Sequence, residues 1–224
     1  MRIRSQYAGL IACTFAVHSA AGQDSLRFSG PDAETSRQVS QIIESAAAAG
    51  LPASHIVAKA QFAVLVRAPG PKVVETARAV AARLEVARKS IDPHTQANDI
   101  VNAEEALSYN VPADILRRIS AASPKAPIAV PLSVLTQLVA TRVPVNRAGQ
   151  IVLEMVRRGA TPTQLQALGN GVDSDVRLLG ATALDAANVR YRNLNPFLAP
   201  MPVSSANTDN LGLSTSSPPG PKKP

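Results

Sequence analysis

Ser45-Ala46-Ala47-Ala48-Ala49-Gly50-Leu51-Pro52-Ala53-Ser54-His55-Ile56-Val57-Ala58-Lys59 reads as one helix ending and the next beginning. Gly50 can adopt the left-handed conformation that closes a helix, and Leu51 stands where the apolar contact of such a closure belongs. Pro52 cannot continue the first helix. Ser54, two residues on, can cap the second by accepting a bond from a free backbone N–H.

The same grammar recurs along the chain. Two residues after a proline stands a good N-cap residue at Pro52/Ser54, Pro93/Thr95, Pro112/Asp114, Pro131/Ser133 and Pro144/Asn146. Pro71 is followed instead by Val73, and Pro162 has its cap residue, Thr161, in front of it. An aliphatic residue precedes the proline at Leu51, Val111, Val130 and Val143. Junctions this frequent predict short helices joined by short loops, which makes neighbours antiparallel.

The apolar positions between junctions repeat at helical spacing. Asp32 caps a first helix running to Ala49, with Val39, Ile42, Ile43 and Ala46 on its inner side. A second runs from Ser54 to Arg67. A third, Lys72 to Ser90, carries Val73, Ala77, Val80, Leu84, Ala87 and Ile91 in a heptad stripe. Sustained coiled coils need three to four heptads, so the stripe reads as a core face rather than a dimer seam. Further helices are expected over Thr95–Tyr109, from Pro112 to Ala122, from near Ser133 to before Val143, and over Asn146–Arg158. Another begins at Thr161 with a capping box closed by Gln164. Asn170-Gly171 is expected to turn the chain, and Asp175 to Tyr191 to form one helix or two pieces split at Gly180. The predicted fold is all-α: eight or nine short antiparallel helices, stacked as an α-solenoid-like array or closed as a compact bundle. Alanine is abundant, Trp is absent, and the core must come from Leu, Ile, Val and Ala.

The ends differ from the middle. Arg2 and Arg4 precede an apolar run from Tyr7 to Val17, and Ser19-Ala20-Ala21 offers small residues for cleavage. Residues 1–21 therefore read as a signal peptide, and the protein as exported, periplasmic or secreted. Leu10-Ile11-Ala12-Cys13 keeps a lipoprotein anchored at Cys13 as the alternative. Residues 22–31 read as an irregular segment, 32–192 as a helical repeat-like domain, and 193–224, rich in Pro and Ser, as a disordered tail. No other apolar run is long enough to span a bilayer, so no transmembrane helix is expected in the mature chain.

Gly50-Leu51-Pro52, Ile56-Val57-Ala58-Lys59-Ala60, the turn from Arg67 to Pro71, Arg83-Leu84 and Ala87-Arg88 together resemble a pattern in uncharacterised exported bacterial helical proteins. The likeness would extend from about Ala46 to Arg190. It departs at Gln61-Phe62-Ala63, where such proteins would carry an acidic residue and Gly. The resemblance implies export and helices, and implies no active site.

Composition excludes several chemistries. Cys13 is the only cysteine and lies in the signal, so the mature chain has neither a disulfide nor a thiol nucleophile. His55 and His94 alone remain as imidazole ligands, and no metal site or cofactor is expected from them. Glu104-Glu105 cannot face each other on a helix, since neighbours point about 100° apart, and are expected on a solvated face. Asn170-Gly171-Val172-Asp173-Ser174-Asp175 lacks the Gly and Glu of a calcium loop, leaving helix capping to Asp173 or Ser174. No nucleophile elbow, phosphate loop, dinucleotide fingerprint or zincin motif occurs, so the chain reads as non-enzymatic. The net charge of +7 falls to near +5 without the signal, which is no nucleic-acid footprint.

The remaining candidates are cations: Arg88, Lys89, Arg117, Arg118, Arg142, Arg157 and Arg158. Each lies late in its helix, where it offsets the negative end of the macrodipole. If stacking gathers these ends, they also form an anion- or partner-binding edge. The expected function is that of an exported interaction or structural module of the bacterial envelope with a protein partner. The alternative is an electrostatic binder of an anionic envelope surface or polymer, and an enzyme without a recognisable motif stands third.

Overall fold

The computed structural model describes residues 28–92, 96–124 and 126–198, and among them the chain is all-α. The helices are α1 (Ala33–Ala48), α2 (Ala53–Leu65), α3 (Gly70–Ser90), α4 (Ala97–Ser108) and α5 (Ala113–Ala122), followed by α6 (Ala129–Ala140), α7 (Val145–Arg157), α8 (Pro162–Leu179) and α9 (Ala183–Leu194). A short 3-10 turn, Asn195–Phe197, follows. The signal peptide, the lipoprotein alternative, the Pro93/Thr95 junction, His94 and the segment after residue 198 lie outside the described residues.

The junctions are built from one backbone device. Gly50, Arg67, Asn110, Arg142 and Gly159 all have positive φ, from 58° to 74°. Each closes a Schellman motif. At the first, Gly50 N–H donates to Ala47 C=O at 2.9 Å and Leu51 N–H to Ala46 C=O at 2.9 Å. The same pair of bonds ends α2, α4, α6 and α7, with Ala68, Val111, Val143 and Ala160 in the place of Leu51. Leu51, Val111 and Val143 are buried, which gives the closure its apolar contact.

The helix starts differ from the expected ones. Pro52, Pro112 and Pro144 are themselves the N-cap residues of α2, α5 and α7, with no side-chain cap. Their carbonyls accept the first helical bonds, from His55, Ile115 and Ala148 N–H at 3.0, 3.1 and 2.9 Å. Proline follows directly on the Schellman closure, and its carbonyl opens the next helix. Ser54, Asp114 and Asn146 therefore fall inside the first turn and do not cap. Asp32 and Thr161 do cap, as expected, accepting from Thr35 and Gln164 N–H.

Three further expectations are corrected. Helix α6 starts at Ala129, earlier than Ser133, because buried Asp99 accepts Ile128 N–H at 3.0 Å and fixes the chain there. Pro131 then sits in the first turn, where its missing N–H has no helical partner to lose. Asn170-Gly171 does not turn: α8 runs through it, and Asp173 and Ser174 are mid-helix rather than capping. A Cβ on Gly169 would meet the flexible end of the Gln137 side chain, and one on Gly171 would press on Arg190 at 3.0 Å. Gly180, in the left-handed region, is where α8 ends. Residues 193–198 are ordered: α9 continues to Leu194, and Arg158 Nη2 donates to Asn195 C=O at 2.9 Å and Leu198 C=O at 3.1 Å.

The chain divides into two compact units between Ala82 and Arg83, within α3. The first contains α1, which packs on α2, and the opening of α3, whose Gly70 lies where a Cβ would meet Asp32 Oδ2 at 2.8 Å. In the second, α4 packs beside α6 and α6 beside α8, while α5 packs beside α7, α6 on α7 and α8 on α9. Alternate helices thus fall into two layers, the arrangement of stacked helix hairpins. Leu116, Ile119, Leu132, Leu135, Leu138, Ile151, Met155 and Leu165 fill its core. All six residues of the α3 heptad stripe are buried within the chain, so the stripe is a core face.

Candidate functional site

The groove between α5 and α7 is built from the junction chemistry. Asp114, Ile115 and Arg118 line it from α5, and Asn146, Gly149, Gln150 and Leu153 from α7. Early residues of α5 therefore face early residues of α7, which makes these two helices parallel. Gly149 sets their separation: a Cβ there would lie 2.9 Å from Ile115 Cδ1 and 3.0 Å from its Cγ2. Ile115, Gly149 and Leu153 are buried and form the apolar floor.

The rim is polar. Asp114, Arg118, Asn146 and Gln150 are all exposed, and none of the four side chains has a hydrogen bond or ion pair among the described residues. Because Pro112 and Pro144 occupy the cap positions, Asp114 and Asn146 are released from capping. Each helix then presents an i, i+4 pair on one face. One wall offers a carboxylate and a guanidinium. The other offers two carboxamides, each able to donate and accept. The groove has a volume of about 190 Å³.

A second cleft gathers two of the cations singled out in the sequence. Lys89, Ser90, Ile91 and Asp92 line it from the end of α3, and Arg117, Ser120, Ala121 and Pro124 from the end of α5. Ser120 Oγ accepts Asp92 N–H at 2.9 Å and ties the two ends together. Lys89 Nζ lies 3.9 Å from Glu85, a loose exposed pair, and Arg117 has no partner among the described residues.

The other sequence candidates separate. Arg118 belongs to the α5–α7 groove. Arg88, Arg142 and Arg157 are exposed. Arg158 is half-buried and holds the chain after α9, a structural duty. The macrodipole reading suits Arg88, Lys89 and Arg157, which lie in the last turns of α3 and α7, and not Arg117 and Arg118, which precede the last turn of α5. Among the described residues Lys89 and Arg117 share a cleft.

Several polar residues have partners that the sequence did not assign. Glu104 is fully buried, contrary to a solvated pair, and accepts from Arg83 Nε at 2.7 Å; its neighbour Glu105 is half-buried. Adjacent helical residues point in different directions, so one carboxylate could turn inward. Asp175, buried on α8, takes a bidentate pair from Arg190 at 2.7 and 2.5 Å. Hydrogen bonds from Arg190, and its charge, hold the Asp175 carboxyl below the usual range against the opposing effect of burial, and raise Arg190 in turn. Burial, then a hydrogen bond to Glu154, pushes the Tyr191 hydroxyl up to about 12. The Thr35 backbone and hydroxyl donors lower the Asp32 carboxyl. Each of these shifts has a partner that holds the fold.

No known family model, curated protein or solved structure matches the chain.

Proposed function

We propose that the protein is an interaction module of the bacterial envelope, exported by its N-terminal segment, and that the α5–α7 groove receives an extended segment of a protein partner. One observation carries this reading: four exposed polar side chains, Asp114, Arg118, Asn146 and Gln150, surround an apolar floor and have no partner among the described residues. Carboxamides at one wall suit main-chain N–H and C=O groups, which every extended segment presents. The carboxylate and guanidinium opposite select charge along it. Stacked helix hairpins bind partners along such faces.

A photo-crosslinking residue at Gln150, introduced in the full chain in living cells, tests it. A discrete partner adduct is expected from position 150, absent from position 166 on the exposed side of α8, and lost in Arg118→Glu. Adducts of equal strength from both positions, or none from 150, reject the groove.

A second reading is favoured by the Lys89–Arg117 cleft. Two cations at adjoining helix ends would attract an anionic polymer or surface, with binding that weakens between low and moderate salt. Lys89→Gln with Arg117→Gln should abolish that salt-dependent binding. Retention of heparin by the double variant at the wild-type salt concentration counts against it.

A further inference from the structure

The outward face of α2 carries a stripe of uncharged residues. Ser54, Ala58, Gln61, Phe62, Leu65 and Val66 are all exposed, recur at helical spacing, and include no charge. The stripe ends in three large apolar side chains: Phe62 is 62 %, Leu65 78 % and Val66 58 % exposed. Soluble surfaces do not ordinarily concentrate bare apolar groups this way at one helix end. Directly beyond them stand Arg67, exposed and without an ion pair among the described residues, and Lys72, exposed at the start of α3. Lys72 lies 2.9 Å from Glu75.

We infer that this end of α2 docks on an anionic lipid bilayer, with Phe62, Leu65 and Val66 entering the headgroup–acyl boundary and Arg67 and Lys72 meeting lipid phosphates. Two arguments select this occupant. The patch is too small for a stable dimer, because even at about 250 Å² apiece three side chains fall short of the roughly 800 Å² each partner contributes. A bilayer demands no matching shape: apolar side chains partition into its interface individually, while flanking cations are drawn to anionic lipid. Charge complementarity then distinguishes an anionic from a zwitterionic surface. This contact uses no residue of the α5–α7 groove or of the Lys89–Arg117 cleft, so it stands or falls independently of them.

The chain contains no tryptophan, so Phe62→Trp makes a single fluorescent reporter at the proposed contact. The full chain carrying it is mixed with vesicles of phosphatidylglycerol and phosphatidylcholine, and with phosphatidylcholine alone. A blue shift and quenching by brominated lipid are expected with the anionic vesicles, and a much weaker response with the zwitterionic ones. Leu65→Asp in the same background should weaken the vesicle response about tenfold or more. Leu178→Trp, placed in the otherwise unaltered chain at an equally exposed position on α8, should show no shift. Lys89→Gln with Arg117→Gln should leave the response of the Phe62→Trp reporter intact. Both replaced positions on α2 are exposed, so these variants retain the fold. The inference is overturned if the chain sediments with vesicles while the α2 reporter stays unshifted, since the apolar run from Tyr7 to Val17 would then be the anchor. It is equally overturned by a concentration-dependent shift without lipid, which would mark a second copy as the occupant, or by no shift at all.

Discussion

Asp99 and Ile128 are joined across two helix starts: Asp99 Oδ1 accepts the Ile128 N–H at 3.0 Å. Its other oxygen, Oδ2, accepts Gln96 N–H at 3.1 Å. One buried carboxylate therefore satisfies a donor at the head of α4 and another at the head of α6. Asp99→Ala would leave a buried N–H at Ile128 unpaired, at a cost of roughly 1–3 kcal/mol. Chemical denaturation should show that loss. Asp99→Asn should recover part of it, because the carboxamide oxygen can replace one bond but its NH₂ cannot accept the other. An unchanged denaturation midpoint for Asp99→Ala would show that water replaces the carboxylate without cost.

The Schellman junctions make a prediction of opposite sign at two equivalent positions. Arg142 has φ 74° and Gly159 φ 69°. A side chain in the left-handed region costs about 1–2 kcal/mol, and glycine avoids it. Arg142→Gly should therefore stabilise, though by less than that, because glycine also gains entropy in the unfolded chain. Gly159→Ala should destabilise by about 1 kcal/mol, through the backbone alone, since nothing lies within 4 Å of its added Cβ. Melting temperatures moving in opposite directions would bear this out. A stabilised Gly159→Ala would contradict the left-handed assignment.

Much of the architecture is legible in the sequence because it is local. Gly50 and Leu51 announce their closure by residue type, and Thr161-Pro162 and Gln164 spell out a capping box. Arg67 and Arg142 close helices in the same way without the residue that signals it, so those ends show in sequence only through the following Pro69 and Pro144. The helix starts are misplaced for a related reason: Ser, Asp and Asn are good caps, but the prolines already hold the position. Asp99, Glu104 and Asp175 are invisible because their partners, Ile128, Arg83 and Arg190, are distant in sequence. The groove is illegible for the same cause. Asn146 and Gln150 become notable only when α7 lies parallel to α5.

Gly149 offers a test of that closeness. Replacing it with Ala adds helix propensity, by about 1 kcal/mol. The new methyl would sit 2.9–3.0 Å from Ile115, and overpacking in a core costs about 1–3 kcal/mol. The Ile115 Cδ1 can rotate away, but its Cγ2 is fixed to the branch next to the backbone. The second effect should win, leaving the variant less stable by about 1 kcal/mol and the groove wider. Urea denaturation checks the sign. Net stabilisation would mean that α5 and α7 have room to separate at no cost.

Helix α9 is held by polar groups on both sides, and its pH response follows from them. Arg147 Nε donates to Asn188 at 2.9 Å, the Tyr191 hydroxyl is buried beside Glu154, and Arg190 grips Asp175. Tyr191 has its pKa raised from 10.0 to about 12, so its contribution is fully present below pH 10 and is lost as pH rises towards 12. Asp175 has its pKa lowered from 3.8, so its contribution is present above that value and is lost as pH falls through the depressed one. Stability should therefore decline at both extremes. Tyr191→Phe should flatten the alkaline decline and leave the acid one, while Asp175→Asn should do the reverse. Absorbance of tyrosinate in the wild type should show a late step as pH rises towards 12, and that step should be missing from Tyr191→Phe. If no step appears above pH 10, burial beside Glu154 does not hold the Tyr191 hydroxyl in its neutral form.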